Sequence, residues 1–137
     1  YFSNDFMISF VKDIVNCYVS SISNKDNFMI YIKTKSINSP SIDKEYIKDL
    51  KGLISHSQRN DIHIKLLDES YEINSLISNS MLTISAPITS SAPLAKLLNK
   101  NAIYYDPSFK LKYNELFYHG IQLISGQKDL SAVFRSL

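Results

Sequence analysis

Three adjacent hydroxyl residues, Thr89, Ser90 and Ser91, with Pro93 close behind them, form the part of this sequence best suited to hold an anion. They follow the short apolar run from Met81 to Ser85, which Pro87 ends, and they precede a periodic segment that runs to about Asn99. The order is strand, hydroxyl-rich turn, helix. At a helix start the unpaired backbone N–H groups and the positive end of the helix dipole point the same way, so a phosphate is a natural ligand there. The same hydroxyls also serve as N-caps, and spacing alone leaves both uses open. Pro93 in the first turn suits either use.

Other candidates sit at the ends of other apolar runs. Lys33 and Lys35 flank Thr34 after the first run, where a lysine acts as a point charge towards a phosphate or a sugar carboxylate, or stays in a solvated loop. Asp68 and Glu69 follow the second run. They suit a helix cap and its dipole, or the hydroxyls of a ribose. Tyr105 and Asp106 close the fourth run, placed either to touch a nucleotide sugar or to pack with a wet hydroxyl. His56, His63 and His119 share no metal-ligand spacing, so neither a metal site nor a resident cofactor is expected. The glycines of the dinucleotide and P-loop motifs and the G-x-S-x-G elbow are missing. No catalytic residue is identifiable from the sequence.

The elements that must carry these groups are legible from periodicity. Asn4 to about Ser23 repeats apolar residues at three and four (Phe6, Phe10, Ile14; Met7, Val11, Val15, Tyr18) with Ser3 or Asn4 as cap, which predicts a one-faced helix. Phe28 to Lys33 reads as a strand covered on both faces. Helix from Lys44 to about Ser57, strand from Asp61 to Leu67, and helix from Glu69 to Ser80, capped by Asp68, follow in alternation. After the Met81 strand and the Pro93 helix come a strand from Asn101 to Tyr105 and an irregular stretch over 107–119 with room for a short helix. A strand from Ile121 to Ile124 and a helix from Lys128 to Leu137 close the chain. Five short strands alternating with helices predict an α/β fold: a doubly wound, Rossmann-like parallel sheet of about five strands, with helices on both faces and right-handed crossovers. Ligands of such sheets bind beyond the carboxyl ends of the strands, where the candidates above all stand.

With 137 residues, 45% of them hydrophobic and 20% charged, residues 1–137 suit one domain with one core. A net charge of +2 with both signs interspersed lacks the basic footprint that nucleic acid requires. Cys17 is the lone cysteine, so no internal disulfide can form and a reducing, cytoplasmic setting is expected. No run approaches the roughly 18 apolar residues of a membrane span. Tyr1 in place of methionine, with helical periodicity already under way, gives the expectation of a piece of a larger, two-domain protein.

The order S-A-P-I-T-S-S-A (85–92), L-A-K-L-L-N-K (94–100), I-Y-Y-D-P (103–107) and G-I-Q-L-I (120–124) resembles the donor-binding half of bacterial GT-B glycosyltransferases of surface polysaccharide biosynthesis. There the pattern runs close to I-S-M-P-F-T-S-T-A, then A-K, G-K-P-S-I-Y-Y-D-P and G-I-P-L-I. Y-I-K-T-K (31–35) is similar to a K-P-K element after the first strand. Ala86-Pro87-Ile88 replaces M-P-F, Asn99-Lys100-Asn101 replaces G-K-P, and Thr34-Lys35-Ser36 replaces P-K-R. The resemblance implies that Thr89, Ser90 and Ser91 meet the phosphate of a nucleotide-sugar donor, with Lys33 and Lys35 near its charge. It also implies that a polysaccharide or glycolipid acceptor is brought by a domain outside this chain, without which the fragment transfers nothing. Peripheral association of the full-length protein with the inner face of the membrane stays open, as do an epimerase-like enzyme on the same fold and a non-catalytic interaction module.

Overall fold

The computed structural model describes residues 3–23, 27–34, 44–68, 70–112 and 118–137. Its elements are α1 (Asn4–Ser21), β1 (Ile30–Lys33), α2 (Lys44–Arg59), β2 (Ile64–Leu67), α3 (Ile73–Ser78), β3 (Thr83–Ser85), α4 (Ser91–Leu97), β4 (Ala102–Asp106), β5 (Leu123–Ser125) and α5 (Gln127–Arg135). The helix and strand alternation expected from periodicity is present, with several elements shorter and α2 two residues longer than expected. Ser3 caps α1, its hydroxyl accepting the Phe6 N–H at 3.1 Å. Part of the irregular stretch over 107–119 lies outside the described residues.

Strand β1 pairs with β2 and β4 pairs with both β3 and β5, every ladder parallel. One continuous sheet of five strands is the expectation that the structure alters: among the described residues a two-stranded sheet and a three-stranded sheet stand apart, with no ladder joining β1 to β3. The reason is physical. An apolar run reports burial, whereas a strand needs a hydrogen-bonding neighbour, and Phe28, Met29, Met81 and Leu82 lie outside any ladder. Nor is β1 covered on both faces, since Tyr31 is 46% exposed.

Consecutive side chains of β4 show how the helices are layered. Because neighbours on a strand point to opposite faces, Tyr105 enters one cluster and Tyr104 the other. The Tyr105 ring meets Phe10 of α1 at 5.9 Å between centroids. Tyr104 packs with Ala92 of α4 and, at 5.5 Å, with the ring of Tyr118. The three-stranded sheet therefore has helices on both faces. Helix α1 packs against α2 and α5, and α4 lies against β3, β4 and α3. The larger cluster takes Ile64 of β2 as well as Ile103, Tyr105 and Ile124 of β4 and β5, so both sheets are seated on one core.

Position 13 of α1 ties that layer together. One Asp13 carboxylate oxygen accepts the Tyr105 hydroxyl at 2.7 Å and the other accepts the Gln127 amide at 2.9 Å. A single side chain thus joins α1 to the end of β4 and to the first turn of α5, and the Cys17 thiol adds a weak bond to the Gln127 carbonyl at 3.4 Å. Burial first, then Asp13, pushes the Tyr105 hydroxyl far above its ordinary pKa.

Candidate functional site

The gap between the two sheets is a groove of about 540 Å³. Its sides are the facing edges of β1 and β3, with Phe10, Val11 and Ile14 of α1 and Ile73, Leu76 and Ile77 of α3 above and below. Most of this lining is apolar. Lys33, the last residue of β1, and Ser91, which follows β3 and opens α4, line the same groove. Lys33 ends β1 and Ser91 lies beyond the loop after β3, so a cation and a hydroxyl both line the groove on the carboxyl side of the strands, where ligands of α/β sheets bind. The Lys33 ammonium also donates a long bond, 3.5 Å, to the Asp68 carbonyl at the neighbouring end of β2.

The hydroxyl triplet is divided. Ser91 faces the groove, while Thr89 and Ser90 line a separate, shallower depression of about 370 Å³ with Ile88, Pro93, Leu94, Leu97, Tyr104 and His119. Thr89 is engaged locally, its hydroxyl donating to the Ala86 carbonyl at 2.6 Å. Ser90 occupies the cap position of α4 but makes no side-chain cap bond, so capping does not account for it. Ile88, immediately before Thr89, has φ +62°. That is the left-handed region, costly for a β-branched residue, and it leaves the side chain 56% exposed. The buried Ser85 hydroxyl, at the end of β3, has no hydrogen-bond partner among the described residues.

Other candidates have structural work. Asp68 does not cap α3. Its carboxylate accepts the Ser70 hydroxyl and, at 2.9 Å, the Ser70 N–H, and these bonds, with Lys33 and Lys65 nearby, hold it below the usual carboxylate range. The cap is Glu72, whose two oxygens take the Asn74 and Ser75 N–H groups at 2.9 Å each. Ser75 and Asn74 hold its carboxyl low as well. Three residues lie between the two acids, and N-cap statistics favour Asp over Glu, so the sequence points to a helix start earlier than the observed one. Tyr105 is sealed in the core on Asp13, and Asp106, 0% exposed, is occupied by its own loop: Ser108 N–H at 2.8 Å, Ser108 hydroxyl at 2.5 Å and Leu111 N–H at 3.0 Å. Neither presents a group to the groove. Lys35 and Glu69 lie outside the described residues.

Lys96 and Asp13 escaped sequence reading. Lys96 donates to the His119 carbonyl at 2.7 Å and fixes the left-handed turn at His119 and Gly120, φ +53° and +72°. Neither residue interrupts a periodicity; Asp13 is otherwise unmarked, and Lys96 stands out only as the lysine of the A-K element in the resemblance. Among the described residues no group of His, Cys, Asp and Glu is placed to hold a metal ion, and no helix is long and apolar enough to cross a membrane.

A family model described as polysaccharide biosynthesis PFTS motif protein matches residues 1–134. Pro87-Ile88-Thr89-Ser90 carries three of the four letters of that motif, in the loop that separates the groove from the depression. No curated protein and no solved structure matches the chain.

Proposed function

Because this chain belongs to the polysaccharide biosynthesis PFTS motif family, we propose that it binds a nucleotide-activated sugar as the donor half of a GT-B type glycosyltransferase. The observation that carries this reading is the meeting of Lys33 and Ser91 on one groove at the carboxyl ends of β1 and β3. In the proposed complex the ammonium of Lys33 neutralises a donor phosphate and the Ser91 hydroxyl donates to it. As the bond between the sugar and the phosphate breaks, negative charge grows on the leaving nucleotide, and groups already aimed at it stabilise that growth without reorganising. An acceptor hydroxyl, and the base that takes its proton, belong to a second half outside this chain. None of the described residues is assigned as that base.

The same reading sets the two sheets side by side in the order β2-β1 and β3-β4-β5, with the groove between β1 and β3 and the reversal of winding falling there. Two features support it: helices cover both faces of the three-stranded sheet, and both sheets rest on one core. The groove then occupies the crevice where nucleotides bind in doubly wound sheets.

Calorimetric titration with UDP-, CMP- and GDP-sugars tests the proposal on the native protein, Lys33→Ala, Ser91→Ala and Ser90→Ala. Charge-assisted hydrogen bonds contribute about 1.5–3 kcal/mol, so Lys33→Ala is expected to weaken binding about tenfold or more. Ser91→Ala should weaken it severalfold, and Ser90→Ala, on the far side of the loop, least. Indistinguishable affinities across the four proteins would refute the assignment.

A further inference from the structure

Phe109 is the exposed aromatic that the fold takes most trouble to hold in place. It is 70% exposed, although a phenyl ring gains by burial, and its backbone has φ +61°, the left-handed region disfavoured for residues with a side chain. Two devices keep it there. The first is Asp106, whose buried carboxylate accepts from Ser108 and Leu111 on either side of Phe109. The second is Gly126, with φ +81°, against which the distal ring atoms Cζ, Cε1 and Cε2 rest so closely that an added Cβ would overlap them. The Gly126 N–H in turn donates to the Asp106 carbonyl at 3.2 Å. A ring that only filled space would need no such support and would lie inward.

We infer that Phe109 is a binding residue, a platform on which the nucleobase of the donor stacks. The inference rests on the donor-site reading above and adds the part of the ligand that reading leaves unplaced. Phe109 follows β4 and its ring lies against Gly126, which follows β5, in a parallel sheet ordered β3-β4-β5, so the ring stands on the same rim as Ser91 about one to two strand spacings, roughly 5–10 Å, further along. A nucleoside diphosphate with its phosphates at Lys33 and Ser91 reaches that distance with its base. An aromatic face without a hydrogen-bonding group suits the flat surface that every base presents.

The chain contains no tryptophan, so the indole introduced by Phe109→Trp is a fluorescent reporter at this position. Titrating that variant with UDP, CDP and GDP is expected to quench its emission to saturation, and inorganic pyrophosphate is expected to leave it unchanged. In parallel, Phe109→Ala should lose about five- to fiftyfold in affinity for the nucleoside diphosphates, the range of base–aromatic stacking, while its affinity for pyrophosphate holds. Phe109→Tyr should restore binding. Gly126→Ala displaces the ring without altering it and should reproduce the selective loss. If Phe109→Ala binds the nucleotides as the native protein does, while Lys33→Ala still weakens them, the platform is overturned and the donor site stands. If neither nucleotides nor pyrophosphate bind the native protein, the donor-site reading itself fails and the platform with it.

Discussion

Asp106→Asn replaces one carboxylate oxygen by an amide nitrogen in a side chain with 0% exposure, and the geometry sets what this costs. One oxygen accepts the Ser108 N–H at 2.8 Å and hydroxyl at 2.5 Å; the other accepts the Leu111 N–H at 3.0 Å. Asparagine can keep the first oxygen, uncharged, but must then turn an N–H towards the Leu111 N–H, so a bond becomes a clash of two donors. Hydrogen bonds to a charged group contribute about 1.5–3 kcal/mol each, and a buried donor left unpaired costs about 1–3 kcal/mol. Removing a buried charge recovers part of that loss. The net expectation is a destabilisation of about 2–4 kcal/mol, which for a chain of this size lowers Tm by roughly 7–15 °C. Urea unfolding followed by circular dichroism should show a lower midpoint at unchanged slope, the sign of lost stability rather than an altered unfolded state. A shift in Tm below about 3 °C would refute the view that this carboxylate anchors the 106–111 loop.

Other outcomes follow from the same reading of contacts. Tyr105→Phe removes the 2.7 Å bond to Asp13 and should cost about 1–2 kcal/mol in urea unfolding. Because burial and then Asp13 raise the Tyr105 hydroxyl, its contribution is complete below pH ~10 and declines as pH rises above that value, so the Tyr105→Phe deficit should shrink in alkali; a deficit that grows there would contradict the assignment. Asp68 and Glu72 are held low by Ser70, Ser75 and Asn74, so their contribution is present above pH ~4.5 and is lost as pH falls through the lower folded values. Amide exchange at Ser70, Asn74 and Ser75, corrected for intrinsic rates, should lose protection in that window and not near neutrality. Ser85→Ala deletes a buried hydroxyl that has no partner among the described residues and should leave stability within about 0.5 kcal/mol or raise it; a loss above about 1.5 kcal/mol would show that the hydroxyl is bonded.

Much of the fold was legible because helices and buried strands write their periods into the sequence. Phe10, Val11 and Val15 mark the inner face of α1 as expected, and Ile103 to Tyr105 mark β4. The split of the sheet was not legible, since Met81 and Leu82 are as apolar as Ile84, and only coordinates show which of them has a strand to pair with. The end of β3 and the loop after it were found from Pro87, Thr89, Ser90 and Ser91, residues whose chemistry punctuates a chain. Ile88, just before the three hydroxyls, lies in the left-handed region at φ +62°, and beyond it Thr89 and Ser90 line the depression while Ser91 lines the groove. A β-branched residue gives no hint of such a turn, so the separation of Ser91 from Thr89 and Ser90 could not be foreseen. Asp106 stands at a strand end, as expected of a residue that touches a nucleotide sugar, but the neighbours that engage its carboxylate, Ser108 and Leu111, lie within five residues. A loop that satisfies its own carboxylate and a loop that offers it to a ligand have the same composition.

In the proposed complex the groove between β1 and β3 holds a nucleotide by its phosphates at Lys33 and Ser91. Amide hydrogen exchange of the native protein with and without saturating nucleotide sugar tests this. Slowed exchange is expected only at residues 30–34 and 83–92, the two walls and the loop that opens α4, with loss of that protection in Lys33→Ala at the same ligand concentration. Protection that appears only around residues 118–122 and the outer face of α4, or that survives Lys33→Ala unchanged, would contradict it.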